Sequence, residues 1–210
     1  MNITIEPLTK STTADFFDFF DHRAFSDDSP YAPCYCNCFH LTPDEFKINI
    51  NERATVLGGG FKGLKLALRE SAENLIKNGI LHGYLVYENG LSIGWCNTND
   101  QQNYFRVGSF DPGRHQEKDY YISPEEKGKI KSLVCFEIAP DYRGKGIAKA
   151  LLQRVCEDAK IEGYEWLEVY PQNVEAYSSF DFNGPIAMYR NSGFEEIKRY
   201  GETIVMRKKL

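Results

Sequence analysis

Between Lys131 and Ile161 an apolar run passes into a glycine-punctuated turn and then, without a linker, into a regular amphipathic stripe. The run Lys131–Ala139 predicts a strand, Pro140–Lys145 a turn and Gly146–Ile161 a helix. The apolar residues of that helix, Ile147, Leu151, Val155 and Ala159, keep i, i+4 spacing. A strand that feeds directly into a helix aims the unpaired amides of the first turn, and the positive end of the dipole, at the space beyond the strand. Gly144 and Gly146 let backbone approach an anion closely, and Arg143 and Lys145 add charge. The product is a pocket for a phosphate or pyrophosphate; the alternative is an ordinary connection whose glycines serve only the turn. A Walker-type loop is excluded because no Gly-Lys-Ser/Thr follows at the required spacing. The dinucleotide pattern of three spaced glycines fails at Lys149.

The flanking sequence predicts a mixed sheet around this unit. Asn2 to Pro7 alternates as a half-buried strand does. Thr12-Thr13-Ala14-Asp15 has capping-box form ahead of a Phe-rich helix reaching about Phe25. A second helix is expected from Gly63 to Lys77. Strands Gly83–Tyr87 and Leu91–Cys96 flank Glu88-Asn89-Gly90, and Asn-Gly is the strongest short hairpin signal. Trp166–Tyr170 reads as a strand, Ile186–Ser192 as a short helix closed by Gly193, and Glu195–Arg199 with Thr203–Lys208 as a final antiparallel pair. The expectation is one domain over 1–210, best supported over 83–210, with irregular excursions at 26–60 and 100–130. Its fold class is α/β (α+β): a mostly antiparallel central sheet flanked by helices, with the strand–phosphate loop–helix unit at 132–161.

Bulk properties narrow the function. A net charge of -5 argues against a nucleic-acid surface, which needs clustered Lys and Arg. No apolar run approaches the roughly 18–20 residues that span a bilayer, so no membrane partner is expected. The N-terminus lacks the basic and apolar regions of an export signal, and the six cysteines are dispersed. Reduced thiols and a cytoplasmic location follow as expectations.

Arg143-Gly-Lys-Gly-Ile-Ala148 resembles the Gln/Arg-x-x-Gly-x-Gly/Ala signature of the GNAT superfamily of N-acetyltransferases, and Met188-Tyr189-Arg190-Asn191-Ser192-Gly193-Phe194 is similar to that family's Tyr-x-x-x-Gly-Phe. The likeness covers about Leu133 to Leu210, with Trp166-Leu-Glu-Val-Tyr170 as the intervening strand. It implies acetyl-CoA as cosubstrate, no metal, and a primary amine of a small molecule or peptide as acceptor, in a monomer or homodimer. By the same resemblance, backbone of Phe136 and Ile138 would pair with the pantetheine arm. Amides of Arg143, Gly144, Lys145, Gly146, Ile147 and Ala148 would hold the pyrophosphate, and Tyr189 would protonate the departing thiolate.

The general base is not specified. The family's usual positions hold Ser132 and Val134, neither of which can serve. Glu137 has the opposite strand parity and should face away unless a bulge shifts the phase. Glu168 on the next strand is the other candidate. Phe182 stands where the family commonly has Asn, so contacts from Pro171 to Pro185 are unassigned. A second function class therefore stays open: a catalytically weak module that binds CoA or acetyl-CoA on the same fold.

Cys34-Tyr-Cys-Asn-Cys-Phe-His40 invites a zinc reading, but structural zinc sites space each ligand pair by two residues, and a disulfide within Cys-x-Cys would be strained. The preferred expectation is an apolar lining near the acceptor site. The segment also resembles the Cys-rich stretch of a GNAT subfamily. His22, His40, His82 and His115 show no ligand spacing, and core packing is the expected fate of most of Tyr31, Tyr35, Phe39, Trp95, Tyr104 and Phe105.

Overall fold

A computed structural model describes residues 1–105, 107, 129–173, 178 and 181–210. Strands β1 (Ile3–Pro7), β2 (Gly83–Glu88), β3 (Leu91–Asp100), β4 (Ile130–Ile138), β5 (Trp166–Val169), β6 (Glu195–Tyr200) and β7 (Thr203–Lys209) form a seven-stranded sheet in the order β1-β2-β3-β4-β5-β7-β6. Every pairing is antiparallel except β4 with β5. The fold is mixed α/β as expected. The expected excursion over 100–130 lies mostly outside the described residues.

The β2–β3 hairpin forms where Asn-Gly requires it: Asn89 and Gly90 take φ of 51° and 80°, so the turn matches the right-handed twist of the strands. Helices α1 (Thr13–His22) and α4 (Gly60–Lys77) cover one face of the sheet, and α5 (Ile147–Ile161) with the short α6 (Ile186–Asn191) covers the other. Trp95, fully buried, centres the first face, and the Phe16 ring meets it edge-on at 4.9 Å. The α5 stripe of Ile147, Leu151 and Val155 packs with Leu133 and Phe136 on the second face.

Two local expectations change. Thr12 does not cap α1 through its side chain; its Oγ1 accepts from the Thr9 amide at 2.8 Å and donates to the Pro7 carbonyl at 3.0 Å. A reciprocal capping box stands instead at Thr42 and Glu45, with Pro43 at the first helical position. It opens α2 (Pro43–Phe46), which runs through a π-helical turn (Lys47–Glu52) into α3 (Arg53–Val56). Part of the 26–60 stretch expected to be irregular is therefore helical. Its stripe is short and uneven, with Ile50 and Ala54 buried while Ile48 and Val56 are exposed, which hides it from a periodicity search.

Gly83 shows how tightly the first face is packed. A Cβ there would lie 2.0 Å from the Cys96 carbonyl oxygen and 2.4 Å from the Trp95 ring. Gly83→Ala is expected to destabilise the protein by about 1–3 kcal/mol, the usual cost of overpacking. Urea denaturation would read this as a lower midpoint, and an unchanged midpoint would contradict the packing described.

Candidate active site

The site originates where β4 and β5 separate. Their parallel register holds only from Ile130 against Trp166 to Leu133 against Val169, and β4 then continues to Ile138 beside β3 without β5. The β3–β4 register slips between Asn97 and Thr98, which face Cys135 and Leu133, so Val134 is an inserted residue. This β-bulge accentuates twist at the point of separation and reverses the in–out phase of the strand. Leu133, Phe136 and Ile138 pack on the α5 face, whereas Val134 and Cys135 both face the other way. Glu137 is thereby brought to the face of Val134. The parity that pointed it away does not survive the bulge.

The Ala139 amide bonds the Ile93 carbonyl at 3.0 Å, so the alternation of antiparallel pairing turns the backbone groups of Phe136 and Ile138 away from β3. They face a cleft of about 480 Å³, walled by Phe136, Ile138 and Ile147 on one side and by Phe182, Pro185 and Met188 on the other. The Phe136 amide donates to the Phe182 carbonyl at 2.7 Å, and the Asn183 side-chain amide reaches the Val134 carbonyl at 3.4 Å. The segment after β5 thus pairs with the free half of β4, and an arm laid along Phe136 would have to displace the Phe182 carbonyl.

At the end of the cleft α5 begins. Gly144 and Gly146 have φ of +73° and +83°, and a Cβ at either would enter open space. Gly146 is the N-cap residue and no side chain caps the helix. The first-turn residues Ile147, Ala148 and Lys149 line the cleft, and the amides of an uncapped helix start are chemically suited to an anion. Lys145 is exposed, its ammonium 5.0 Å from the centre of the Tyr142 ring. The Arg143 side chain turns inward: Nε donates to the Ile138 carbonyl at 2.9 Å, and the guanidinium pairs with Asp27 and, at 3.3 Å, with Glu137.

The two carboxylate candidates differ sharply. Glu137 lines both this cleft and an adjoining chamber of about 220 Å³. Burial pushes its carboxyl up to about 8 against the opposing pull of Arg143, whose guanidinium also serves the Ile138 carbonyl and Asp27. Glu168 is fully buried, lines neither space, and has both oxygens engaged, by the Tyr170 hydroxyl and by Arg207, each at 2.7 Å. Ser132 extends that network through Tyr170 at 2.7 Å. Tyr189 is fully buried and donates its hydroxyl to the Asn183 carbonyl. A Cβ on Gly184 would sit 2.9 Å from that hydroxyl, so the phenol lies directly behind the cleft wall.

The cysteine loop reaches the same region. Cys36 has φ of 57°, and its carbonyl accepts from Asn97 at 2.8 Å, while Asn97 accepts from the Tyr104 hydroxyl at 2.8 Å. Cys36 and Cys38 are core residues, and Cys34 lines the chamber with Cys135. All six thiols are free, and no metal-ligand arrangement occurs among the described residues. Tyr31 and Phe39 line the chamber, whereas Tyr35, Trp95 and Tyr104 are buried in the core. His40 is half-buried between Asn97 and the Asn103 carbonyl, and desolvation lowers its pKa to about 4. The contribution of Asp27 and the loop clamp of Asn97 carry no sequence signal: neither belongs to a motif, and each acts across a long sequence separation.

A sequence model of the acetyltransferase (GNAT) family matches residues 64–194, more than half of the chain. The chain belongs to that family. A curated relative, an uncharacterized N-acetyltransferase of Methanocaldococcus jannaschii, is 33% identical over 76 residues, which is 36% of this chain and 30% of that protein, so the chain matches less than a third of its length. Among solved structures, the PaiA N-acetyltransferase of Thermoplasma acidophilum, in complex with coenzyme A, superposes with a TM-score of 0.52 at 15% identity, covering 100% of both chains. YncA of Salmonella typhimurium, solved with acetyl-CoA, gives 0.51 at 16% identity, covering 99% of this chain and 94% of that one. At these identities the shared property is the fold. Among the described residues no helix is long and apolar enough to cross a membrane.

The Glu137 environment has a measurable consequence. Because its folded pKa is raised, the folded chain keeps a proton that the unfolded chain loses near pH 4.5, so stability falls as pH rises from there through about 8. Glu137→Gln is neutral throughout and escapes this loss. The melting-temperature difference, variant minus wild type, should grow from pH 5 to pH 9. A constant difference would mean that Glu137 titrates normally.

Proposed function

We propose that this chain is an acetyl-CoA-dependent N-acetyltransferase, with the donor in the cleft between β4 and residues 182–188 and the acceptor amine meeting it at Glu137. The observation that carries the reading is the cleft itself. The splayed strand supplies outward-facing backbone of Phe136 and Ile138, and the uncapped α5 with its positive-φ glycines supplies amides for a pyrophosphate. Two structural neighbours were solved with coenzyme A or acetyl-CoA, which supports a donor of that kind.

When bound, the donor supplies an activated thioester. The rest of the chemistry falls to residues of this chain. Glu137 accepts a proton from the incoming ammonium, and its raised pKa matches a base working near neutral pH. The Phe136 amide on the β4 edge could meet an oxyanion once the Phe182 carbonyl gives it up. Tyr189 is the candidate acid; its hydroxyl must leave the Asn183 carbonyl to donate elsewhere. Glu168, neutralised by Arg207 inside the sheet, has a structural part. In this reading the acceptor is a primary amine and the compartment the cytoplasm, and the likeness of Cys34 to Cys38 to the Cys-rich stretch of some GNAT proteins supports a subfamily of that kind.

Two experiments test this reading. Acetyl-CoA at a hundredfold excess over its dissociation constant should stabilise the fold by about 2.7 kcal/mol. Gly146→Glu, which puts a carboxylate into the open space before α5, should abolish that shift measured against its own ligand-free melting temperature. A normal shift in the variant would send the pyrophosphate elsewhere. Separately, Tyr189→Phe should lower turnover by about 10²–10⁴ with the acetyl-CoA shift retained, the range for a positioned acid. If instead the melting temperature drops and turnover per folded molecule holds, Tyr189 only clamps the segment at Asn183.

A further inference from the structure

We propose that the acceptor is a monoamine carrying an apolar body, aromatic or branched aliphatic, which seats in the chamber behind Glu137 and presents its nitrogen to the donor cleft. The inference rests on the donor-site reading above and specifies its second substrate. The chamber of about 220 Å³ is bounded by Phe25, Tyr31, Pro33, Cys34, Phe39 and Cys135, with Glu137 and Phe182 shared with the cleft. Phe182 is the partition between the two spaces. Its ring meets Tyr31 edge-on at 5.1 Å and Phe39, also edge-on, at 6.1 Å.

Size and polarity choose the occupant. An apolar cavity of about 150 Å³ holds benzene, so this larger chamber accommodates a benzyl-sized group or a branched chain. Glu137 is the chamber's carboxylate among the described residues, and it stands at the boundary. An amine with one charged end and an apolar tail satisfies both features. A polyamine or aminoglycoside would bring a second ammonium into apolar walls without a partner, at a large desolvation cost. Beside Glu137, Arg143 is shared between that carboxylate and Asp27, so the boundary of the chamber is polar where its walls are apolar.

The test compares ethylamine, isoamylamine, phenethylamine and putrescine on wild-type protein. Thiol release from acetyl-CoA is measured together with equilibrium titration of each amine in the presence of CoA. Isoamylamine and phenethylamine should exceed ethylamine by at least about tenfold in kcat/KM and in affinity, the scale expected for burying a few methylenes. Putrescine should be the poorest. Cys34→Trp fills the chamber and should remove the advantage of the apolar amines while keeping the acetyl-CoA thermal shift, which reports that the variant is folded. If the four amines agree within about threefold, or putrescine leads, the chamber is not the acceptor site and the proposal fails. Should the Trp variant not fold, the wild-type series decides alone. Loss of the acetyl-CoA shift in wild type with selective phenethylamine binding intact would instead overturn the donor reading and leave the chamber's ligand class standing.

Discussion

The site depends on a failure of pairing. Parallel strands gain from continuous hydrogen bonding, yet β4 keeps β5 for four residues and then gives it up. The inserted Val134 makes this permanent, because the bulge both twists β4 outward and shifts its phase. From that single irregularity follow the exposed backbone edge at Phe136 and Ile138, the gap that the Phe182–Pro185 segment partly closes, and the presence of an acid on the inner face. Without the insertion, Glu137 would sit on the α5 face among Leu151 and Val155, where an unpaired carboxylate is costly.

The sheet and helices surround that irregularity with regular structure, and the regular parts were largely legible. Asn89-Gly90 determines its hairpin because both residues take positive φ at little cost. The α5 stripe and the glycines before it lie within one short stretch, so local chemistry suffices. Gly193 ends α6 with φ +83°, as its position suggested, and the Phe194 amide returns to the Tyr189 carbonyl at 3.1 Å.

What escaped is non-local or competitive. Thr12 has the letters of a cap, but the Thr9 amide and the Pro7 carbonyl outcompete the helix for its hydroxyl. Nothing in the β4 sequence marks Val134 as the inserted residue; the bulge arises from how β3 and β4 match each other. The inward course of Arg143 is likewise invisible in a motif that suggests cationic help for a phosphate. Its partners Asp27 and Glu137 come from distant parts of the chain, and burial of the guanidinium follows from them. Glu168 is the converse: the residue type fits a base, and only the surroundings show both of its oxygens engaged, by Tyr170 and Arg207.

In the function proposed above, Arg143 also joins two halves of the molecule with different tasks. Its backbone opens the anion loop, while its side chain reaches the loop after α1 at Asp27 and the strand end at Ile138. The loop after α1 is therefore fastened to the turn before α5 through the Arg143 guanidinium. In a lineage that changes its amine, residues around Asp27 are free to drift only so far as an acid remains there to hold Arg143 in place. Diversification of the front loop is tethered to a donor site that has no stake in the acceptor, and position 27 should vary less than its exposure would suggest.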